Sequence, residues 1–472
     1  MKCVCSFMVS FIPINFDVME GMPLKKIVSY VFFLPLFFLL VSCSKGDYVN
    51  VIPENSIAVA SIDAQSLFGG DCGSRLGKIL KVEKGQDCGI DISEKLYMFE
   101  TVDGNVGIAA KVSDKDKLVD WLDYLAKNNY CTAIIKQDKY WFTIFKNSWV
   151  IGFSSDALVA LGPVLPAAQA EVKRTIIGYL GQDSDNGIIS SPIFERLDSM
   201  KAPVAIVAQA AALPDKFVAP FTIGAPKDAD ASQVMLAAEL NKDVNGCFVI
   251  MGEVFSFDKK IDDELKKSQQ IYRPVTEKYL EKMPSDVALG VFINVDGSRF
   301  INLLYSNKAF QAILAGINTA IDMDNIIKSI DGDVAIMSRG VQSGVAGLGM
   351  LAQLKGKSFL DDVDYWKQSC PPGSTINDIG KNAYCYKNGD LSYPFGVTDD
   401  MQFYLGTLEK TGNQQQGGEM ASYLSHDAVS KIKGHKLAIV LNVKALSGDN
   451  DGVAQFAESL LGDVKTILYI MK

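Results

Sequence analysis

The chain has 472 residues, of which 46 are basic and 55 acidic, and its net charge at pH 7 is −9. A net negative charge disfavours nucleic acid and anionic lipid head groups as partners. Apolar residues make up 48% of the sequence, which is enough for a large core and excludes a disordered stalk. At this length two or more domains are expected.

An almost unbroken apolar run covers residues 27–41 and follows Lys25 and Lys26. A basic start, a short apolar run and a small residue at its end are typical of a secretory signal. A bilayer-spanning helix needs about 20 apolar residues, and this run is shorter and contains Pro35. An uncleaved membrane anchor is the alternative interpretation, and the signal is favoured.

The apolar run ends in Leu-Val-Ser-Cys, which resembles the lipobox of bacterial lipoproteins. We therefore expect cleavage after Ser42 and lipidation of the Cys43 thiol. Several acyl chains on this cysteine would hold the protein firmly at a bilayer. Residues 1–42 would then be a signal region, with the true start at Met22. Residues 43–51 are expected to be a lipidated polar tether.

Six cysteines follow the anchor, and the exported location permits disulfides. Six cysteines allow 15 connectivities, so the sequence alone does not fix the pairing. The pairs with short spacing, Cys72 with Cys88 and Cys370 with Cys385, are the predicted disulfides. For Cys131 and Cys247, buried free thiols are the alternative.

Four apolar, partly alternating segments of β-favouring residues predict strands followed by helices. The first and third begin at Ser56 and Asp286, 230 residues apart, and the second and fourth begin at Ala202 and His435, 233 residues apart. The matched spacing predicts a tandem duplication.

The two predicted halves cover residues 52–283 and 284–472, with the boundary between a predicted helix over 261–283 and Pro284. Hairpin turns rather than regular crossovers favour an α+β fold, with an antiparallel sheet and packed helices in each half.

No catalytic or cofactor motif is complete in this sequence. Serine nucleophile chemistry needs a base, and the two histidines, His426 and His435, favour surface or capping roles. Gly356-Lys357-Ser358 resembles the end of a phosphate-binding loop, but Leu351 occupies the position of its first glycine. We therefore expect no cofactor.

A weak calcium candidate begins at Ser447, with Asp449, Asp451 and Glu458 at loop positions 3, 5 and 12. Position 1 is serine where aspartate is expected, and a strand precedes the loop where a helix belongs. A turn that caps the last helix explains the same residues, so no metal is expected.

The chain resembles an uncharacterised lipoprotein family of Bacteroidota, domain of unknown function 4836. The segments that carry the resemblance are Cys43-Ser44-Lys45, residues 51–56 (VIPENS), residues 89–93 (GIDIS) and residues 152–158 (GFSSDAL). The resemblance implies an envelope lipoprotein with tandem α+β halves and brings no known activity. We expect the lipid anchor to lie in the outer membrane. Surface display in this phylum is associated with acidic residues after the anchor; here only Asp47 is present, so the periplasmic face and the cell surface both stay open.

The leading hypothesis is a non-catalytic envelope lipoprotein that binds or scaffolds an envelope protein or glycan, with the membrane as its partner through the lipid. One rival is a carboxylate-based hydrolase of envelope glycans or peptides, using acidic pairs such as Asp361-Asp362 or Asp399-Asp400. Another is a solute-binding protein with its site between the halves.

Overall fold

The computed structural model of the protein describes residues 47–69, 88–213, 218, 221–242, 247–317, 322–339, 347–406, 423–447 and 464–472. Helices and one large hydrogen-bonded sheet give an α+β fold over these ranges, as predicted. None of the helices in the described ranges combines the length and apolar content that a bilayer crossing requires.

The elements before residue 284 are β1 (Ala58–Ile62), α1 (Ala64–Phe68), β2 (Leu96–Glu100), β3 (Val106–Lys111), α2 (Lys115–Lys127), β4 (Ile135–Gln137), β5 (Tyr140–Phe145), β6 (Trp149–Phe153), β7 (Ala157–Gly162), α3 (Gln169–Leu180), α4 (Pro192–Asp198), β8 (Val204–Gln209), β9 (Met235–Lys242), β10 (Cys247–Phe255), α5 (Lys259–Gln269) and β11 (Tyr272–Arg273).

The elements after residue 284 are β12 (Leu289–Asp296), α6 (Gly297–Ser306), α7 (Lys308–Ile317), α8 (Met323–Lys328), β13 (Ile330–Ser338), β14 (Leu348–Leu354), α9 (Val363–Ser369), β15 (Ser374–Gly380), β16 (Ala383–Asn388), β17 (Leu391–Val397), β18 (Gln402–Gly406), α10 (His426–Ile432), β19 (Leu437–Asn442), α11 (Val443–Ser447) and β20 (Thr466–Met471). Short 3₁₀ turns at Asp47–Val51 and Leu280–Lys282 precede β1 and β12.

The strands form two series with the same spatial order. The first series runs β4-β5-β6-β7-β3-β2-β1-β8-β9. The second runs β15-β16-β17-β18-β14-β13-β12-β19-β20. Strand β10 joins the two series, because it pairs antiparallel with β9 and parallel with β20.

Buried aromatic residues occupy matching places in the two series. Tyr48 and Tyr279 each lie ten residues before the first residue of β1 or β12, and they are 6% and 2% exposed. Trp121 in α2, after β3, and Trp366 in α9, after β14, are both 2% exposed. Each pair therefore fills the core at an equivalent point of the chain.

Local sequence explains why helix α2 and the β5–β6 hairpin form. The α2 face of Leu118, Trp121, Leu122 and Leu125 is buried, and the Asp114 carboxylate caps the helix by accepting from two backbone N–H groups. The β5–β6 hairpin forms around Asn147, whose positive φ of 58° suits asparagine.

Two expectations about chain segments differ from the structure. The helix predicted over residues 261–283 is wrong in extent: α5 ends at Gln269, because Pro274 disfavours helix before it and Tyr272–Arg273 pair with β12. Residues 47–51, assigned to the tether, form a 3₁₀ turn in the core, where Tyr48, Val49 and Val51 are at most 6% exposed.

Candidate functional site

The centre of the sheet carries an apolar face that solvent reaches. Alternation along a strand places every second residue on one face, and one such face of β8, β9, β10, β20 and β19 is apolar up to Lys242, the last residue of β9. We call this face the floor; its members are Val204, Ile206, Leu236, Ala238, Leu240, Ile250, Gly252, Val254, Ile467, Tyr469, Met471, Leu437, Ile439 and Leu441.

The floor connects the helix-covered cores of the two series. One cross-strand row runs Val204, Leu240, Ile250, Tyr469 and Ile439, each of them partly exposed. Ile206, at 39% exposure, lies in the next row, opposite Ala238. Five strands about 4.8 Å apart and six residues long give a face of roughly 400 Å². An exposed apolar patch of that size often has a function in a monomeric protein.

The opposite face of the same strands is polar at its centre. Glu253 of β10 pairs with Arg196 of α4, and Glu239 of β9 pairs with Lys472 after β20. These charged side chains therefore lie on the far side of the sheet. On the floor's side, Lys242 ends β9, and its ammonium nitrogen is 5.7 Å from the centre of the Phe248 ring, so the charge on this side lies at one end of the floor.

Helices and clusters enclose the floor on its sides and ends. One side is the core that contains Ile62 and α2, and the other is the core of β12–β14 and α6, against which Leu437, Ile439 and Leu441 pack. At one end, Leu67 of α1 and Val443 of α11 cluster with Phe248. At the other end, Ile261 and Leu265 of α5 cluster with Val254. These clusters border the floor on its sides and ends, and we call the floor with its borders the groove.

Tyr469 lies at the middle of the groove. Its ring covers Gly252, where a Cβ atom would come within 2.5 Å of the Tyr469 ring. Tyr469 is half-exposed, and yet burial raises the pKa of its hydroxyl to about 12. A side chain on the base of a concavity satisfies both observations, because atoms surround it while solvent still reaches it. Over the described ranges, this hydroxyl has no hydrogen-bond partner.

Apolar lining with a single polar hydroxyl suits an apolar ligand or the apolar part of an amphiphile. It does not suit metal binding, and the described ranges contain no group of three or more His, Cys, Asp or Glu that could hold a metal ion. The groove therefore offers burial of apolar surface, and the Tyr469 hydroxyl is the one polar side-chain group among its floor residues.

Several residues singled out by the sequence lie outside the described residues. These are the predicted cleavage and lipidation residues Ser42 and Cys43, the predicted disulfide residue Cys72, and the calcium candidates Asp449, Asp451 and Glu458. Cys88, the predicted partner of Cys72, is buried at 1% exposure.

The predicted disulfide between Cys370 and Cys385 is wrong, because both thiols are free. Cys370, after α9, packs against the same core as Tyr384 and Tyr386 of β16. Cys385 lies between these two tyrosines and points to the other face of the sheet, where its Sγ is 3.1 Å from Ser392 Oγ. The sheet separates the two cysteines.

One of the acidic pairs that the hydrolase hypothesis proposed, Asp399-Asp400, has other partners. Asp399 pairs with Lys381 at 2.9 Å, and this contact lowers the pKa of the Asp399 carboxyl. The Thr398 hydroxyl donates to Asp400 at 2.6 Å and lowers the pKa of that carboxyl. A glycosidase general acid needs a raised pKa, so this pair does not fit the role.

Sequence reasoning did not identify the groove. The segments VAIVAQ in β8 and LAIVLN in β19 are apolar on both faces, which predicts burial on both sides. The available signal was the matched spacing of the predicted segments, since β8 and β19 hold the same place in the two strand series and flank their junction.

These features define the chain as an α+β protein with one continuous sheet and an apolar groove at its centre. It belongs to the family described as Domain of unknown function (DUF4836), whose model matches residues 75–419. No curated protein matches the chain. Two crystal structures of TP0453 are similar: form IV has a TM-score of 0.27 and 9% identity over 42% of this chain and 77% of that chain. Form III has a TM-score of 0.26 and 8% identity over 42% of this chain and 76% of that chain.

Proposed function

We propose that this protein is a non-catalytic, lipid-anchored protein of the cell envelope that binds an apolar ligand in the groove between its two strand series. The observation that carries the proposal is the partly exposed floor, which leaves Ile206 at 39% exposure in the middle of a sheet. Leaving such a face in water is unfavourable, and a ligand with an apolar surface would remove that cost.

The proposed location of the protein at a membrane rests on the sequence around Cys43. A lipidated Cys43 would attach the protein to the outer membrane, with Ser42 as the last residue of the removed signal. Because residues 47–51 pack in the core, only residues 44–46 would separate the lipid from the body. The groove would then lie close to a source of acyl chains.

The tandem arrangement explains where the groove forms. We infer that the chain is a duplication with its junction near Pro284, which the shared strand order and the equivalent Tyr48 and Tyr279 support. Each series covers its own strands with helices, and the strands that meet at the junction retain an open face. This arrangement favours a site between the halves over a site within one of them.

The test is binding of a fluorescent long-chain fatty acid to the purified mature protein, followed by native mass spectrometry of co-purifying lipid. Ala238→Trp fills the middle of the floor, and Ile206→Glu places a carboxylate there. We expect each to weaken probe binding at least about tenfold, because an unpaired charge or lost space opposes an apolar ligand.

The matched control is Ile135→Glu, which changes an equally apolar side chain, 57% exposed, in the edge strand β4. It should bind the probe like the unchanged protein. The proposal fails if Ala238→Trp and Ile206→Glu fold normally by circular dichroism and still bind the probe with unchanged affinity.

A further inference from the structure

Tyr469 brings a polar group to the middle of the apolar floor. It pairs with Ile250 of β10, and Ile439 of β19 pairs with it from the other side. On the same face of β20 its neighbours are Ile467 and Met471. A ligand on the floor therefore meets the Tyr469 hydroxyl with apolar surface on all sides of it.

The ring of Tyr469 lies along the floor and does not stand away from it. A Cβ atom added to Gly252 would be 2.5 Å from both the hydroxyl oxygen and the Cε2 atom of Tyr469. Gly252 belongs to the next row, where Ala238 pairs with it and Ile206 pairs with Ala238. The hydroxyl thus lies over a glycine and beside an alanine, and these small residues leave a low part of the floor in which a polar group of a ligand can approach it.

The Tyr469 hydroxyl has no hydrogen-bond partner within the described part of the chain. Buried tyrosine hydroxyls usually have one: Tyr48 donates to the Lys95 carbonyl at 2.7 Å, and Tyr279 donates to the Gln402 side chain. Burial raises the pKa of the Tyr469 hydroxyl to about 12, so this group is protonated at neutral pH and can donate. The floor therefore offers a donor to the ligand that covers it.

The charges around the floor decide which acceptor fits this donor. None of the floor residues is charged, and Lys242 lies with its ammonium nitrogen 5.7 Å from the centre of the Phe248 ring. Phe248 is four residues before Gly252 in β10, which is roughly 13 Å at the rise of a strand. An ionised carboxylate over Gly252 would lose its hydration with no cation among the floor residues to compensate, whereas an uncharged carbonyl oxygen accepts a hydrogen bond and costs far less to bury.

We propose that the groove takes acyl lipids in which an uncharged ester or amide carbonyl lies between two apolar parts, and that Tyr469 Oη donates to this carbonyl. This specificity rests on the proposed function, because it concerns the ligand of the same groove. A site with a buried donor discriminates against an analogue without the acceptor, because the donor is then left unpaired. Tyr469 selects among apolar ligands of one length, and the rest of the floor binds them all.

The experiment measures how well three ligands of one chain length displace the fluorescent fatty acid from the purified mature protein. These ligands are methyl laurate, ionised laurate and an unbranched alkane. We expect the unchanged protein to bind methyl laurate at least about fivefold more tightly than laurate, because only laurate brings a charge onto the floor.

Tyr469→Phe removes the donor and keeps the ring. It should weaken the binding of methyl laurate about fivefold, which is the range of one neutral hydrogen bond, and should change the affinity for the alkane less than about twofold. The matched control is Tyr365→Phe, which makes the same change to a side chain that is 69% exposed in α9. It should leave all three affinities as they are.

Three results would overturn this specificity. They are an unchanged affinity of Tyr469→Phe for methyl laurate, equal losses for the ester and the alkane, and a larger loss for laurate than for its ester, which would assign the hydroxyl to a carboxylate. If Ala238→Trp still blocks the three ligands, the proposed function stands without it. If none of the three binds the unchanged protein, the proposed function fails, and this specificity fails with it.

Discussion

Lys111 and Asp91 form an ion pair inside the protein, at 3.3 Å and with exposures of 4% and 1%. Asp91 belongs to the GIDIS segment that carried the family resemblance. Gly89 of that segment has a φ of 73°, and a Cβ there would come within 2.1 Å of the Asp114 carbonyl oxygen. The segment therefore packs against both the end of β3 and the start of α2, and its role is structural.

Replacing Lys111 by Met should lower the free energy of unfolding by about 3–5 kcal/mol, because it leaves the Asp91 carboxylate buried without its cation. Chemical denaturation measures this change. Lys117→Met is the control, since its pair with Asp114 spans 3.8 Å with the lysine 51% exposed, and it should cost less than about 1 kcal/mol. Similar losses in the two variants would contradict the structural role.

At the scale of single elements, strands β15, β16 and β17 decide the state of two cysteines. Cys370 and Cys385 are 15 residues apart in the sequence, which favoured a local disulfide. The alternation of β16 places Cys385 on the face opposite Tyr384 and Tyr386, and these tyrosines share a core with Cys370. A disulfide would have to pass through the sheet.

Alkylation of the purified protein in denaturant without a reductant should modify both Cys370 and Cys385 fully. The reason is that the folded sheet keeps their sulfur atoms apart throughout the life of the native protein. Peptide mass spectrometry reads the modification, and a parallel sample reduced first gives the reference for complete labelling. A peptide in which the two cysteines are linked would refute the arrangement of β16.

At the scale of the whole molecule, the last strand holds the two series together. Strand β20 pairs with β19 of its own series and with β10, which belongs with the first. The floor runs across this junction through Ile250, Tyr469 and Ile439. Folding of the two series and formation of the groove therefore depend on the same nine C-terminal residues.

A chain that ends at residue 463 should lose its monomeric fold, because the edges of β10 and β19 become open to pairing with other chains. Size-exclusion chromatography and thermal unfolding by circular dichroism measure this loss. Lys472→Gln, which removes only a partly exposed ion pair with Glu239, should keep the monomer and its melting temperature. A truncated chain that stays monomeric and melts normally would contradict the role of β20.

The sequence by itself determined the α+β class, the main strands and the buried face of α2, because these follow from local periodicity, turns and capping. The apolar segments that begin at Ser56 and Asp286 also predicted the positions of β1 and β12. Each of these features depends on residues that are near one another in the chain, which is why local patterns sufficed.

Only the tertiary structure decided which apolar faces are covered. The sequences of β8 and β19 are apolar on both faces, so periodicity could not separate the core face from the half-exposed floor. The same holds for Tyr48, assigned to a tether and found 6% exposed in the core, and for Cys385, whose face depends on the register of β16. The physical reason is that burial depends on neighbours far away in the sequence, which no local pattern specifies.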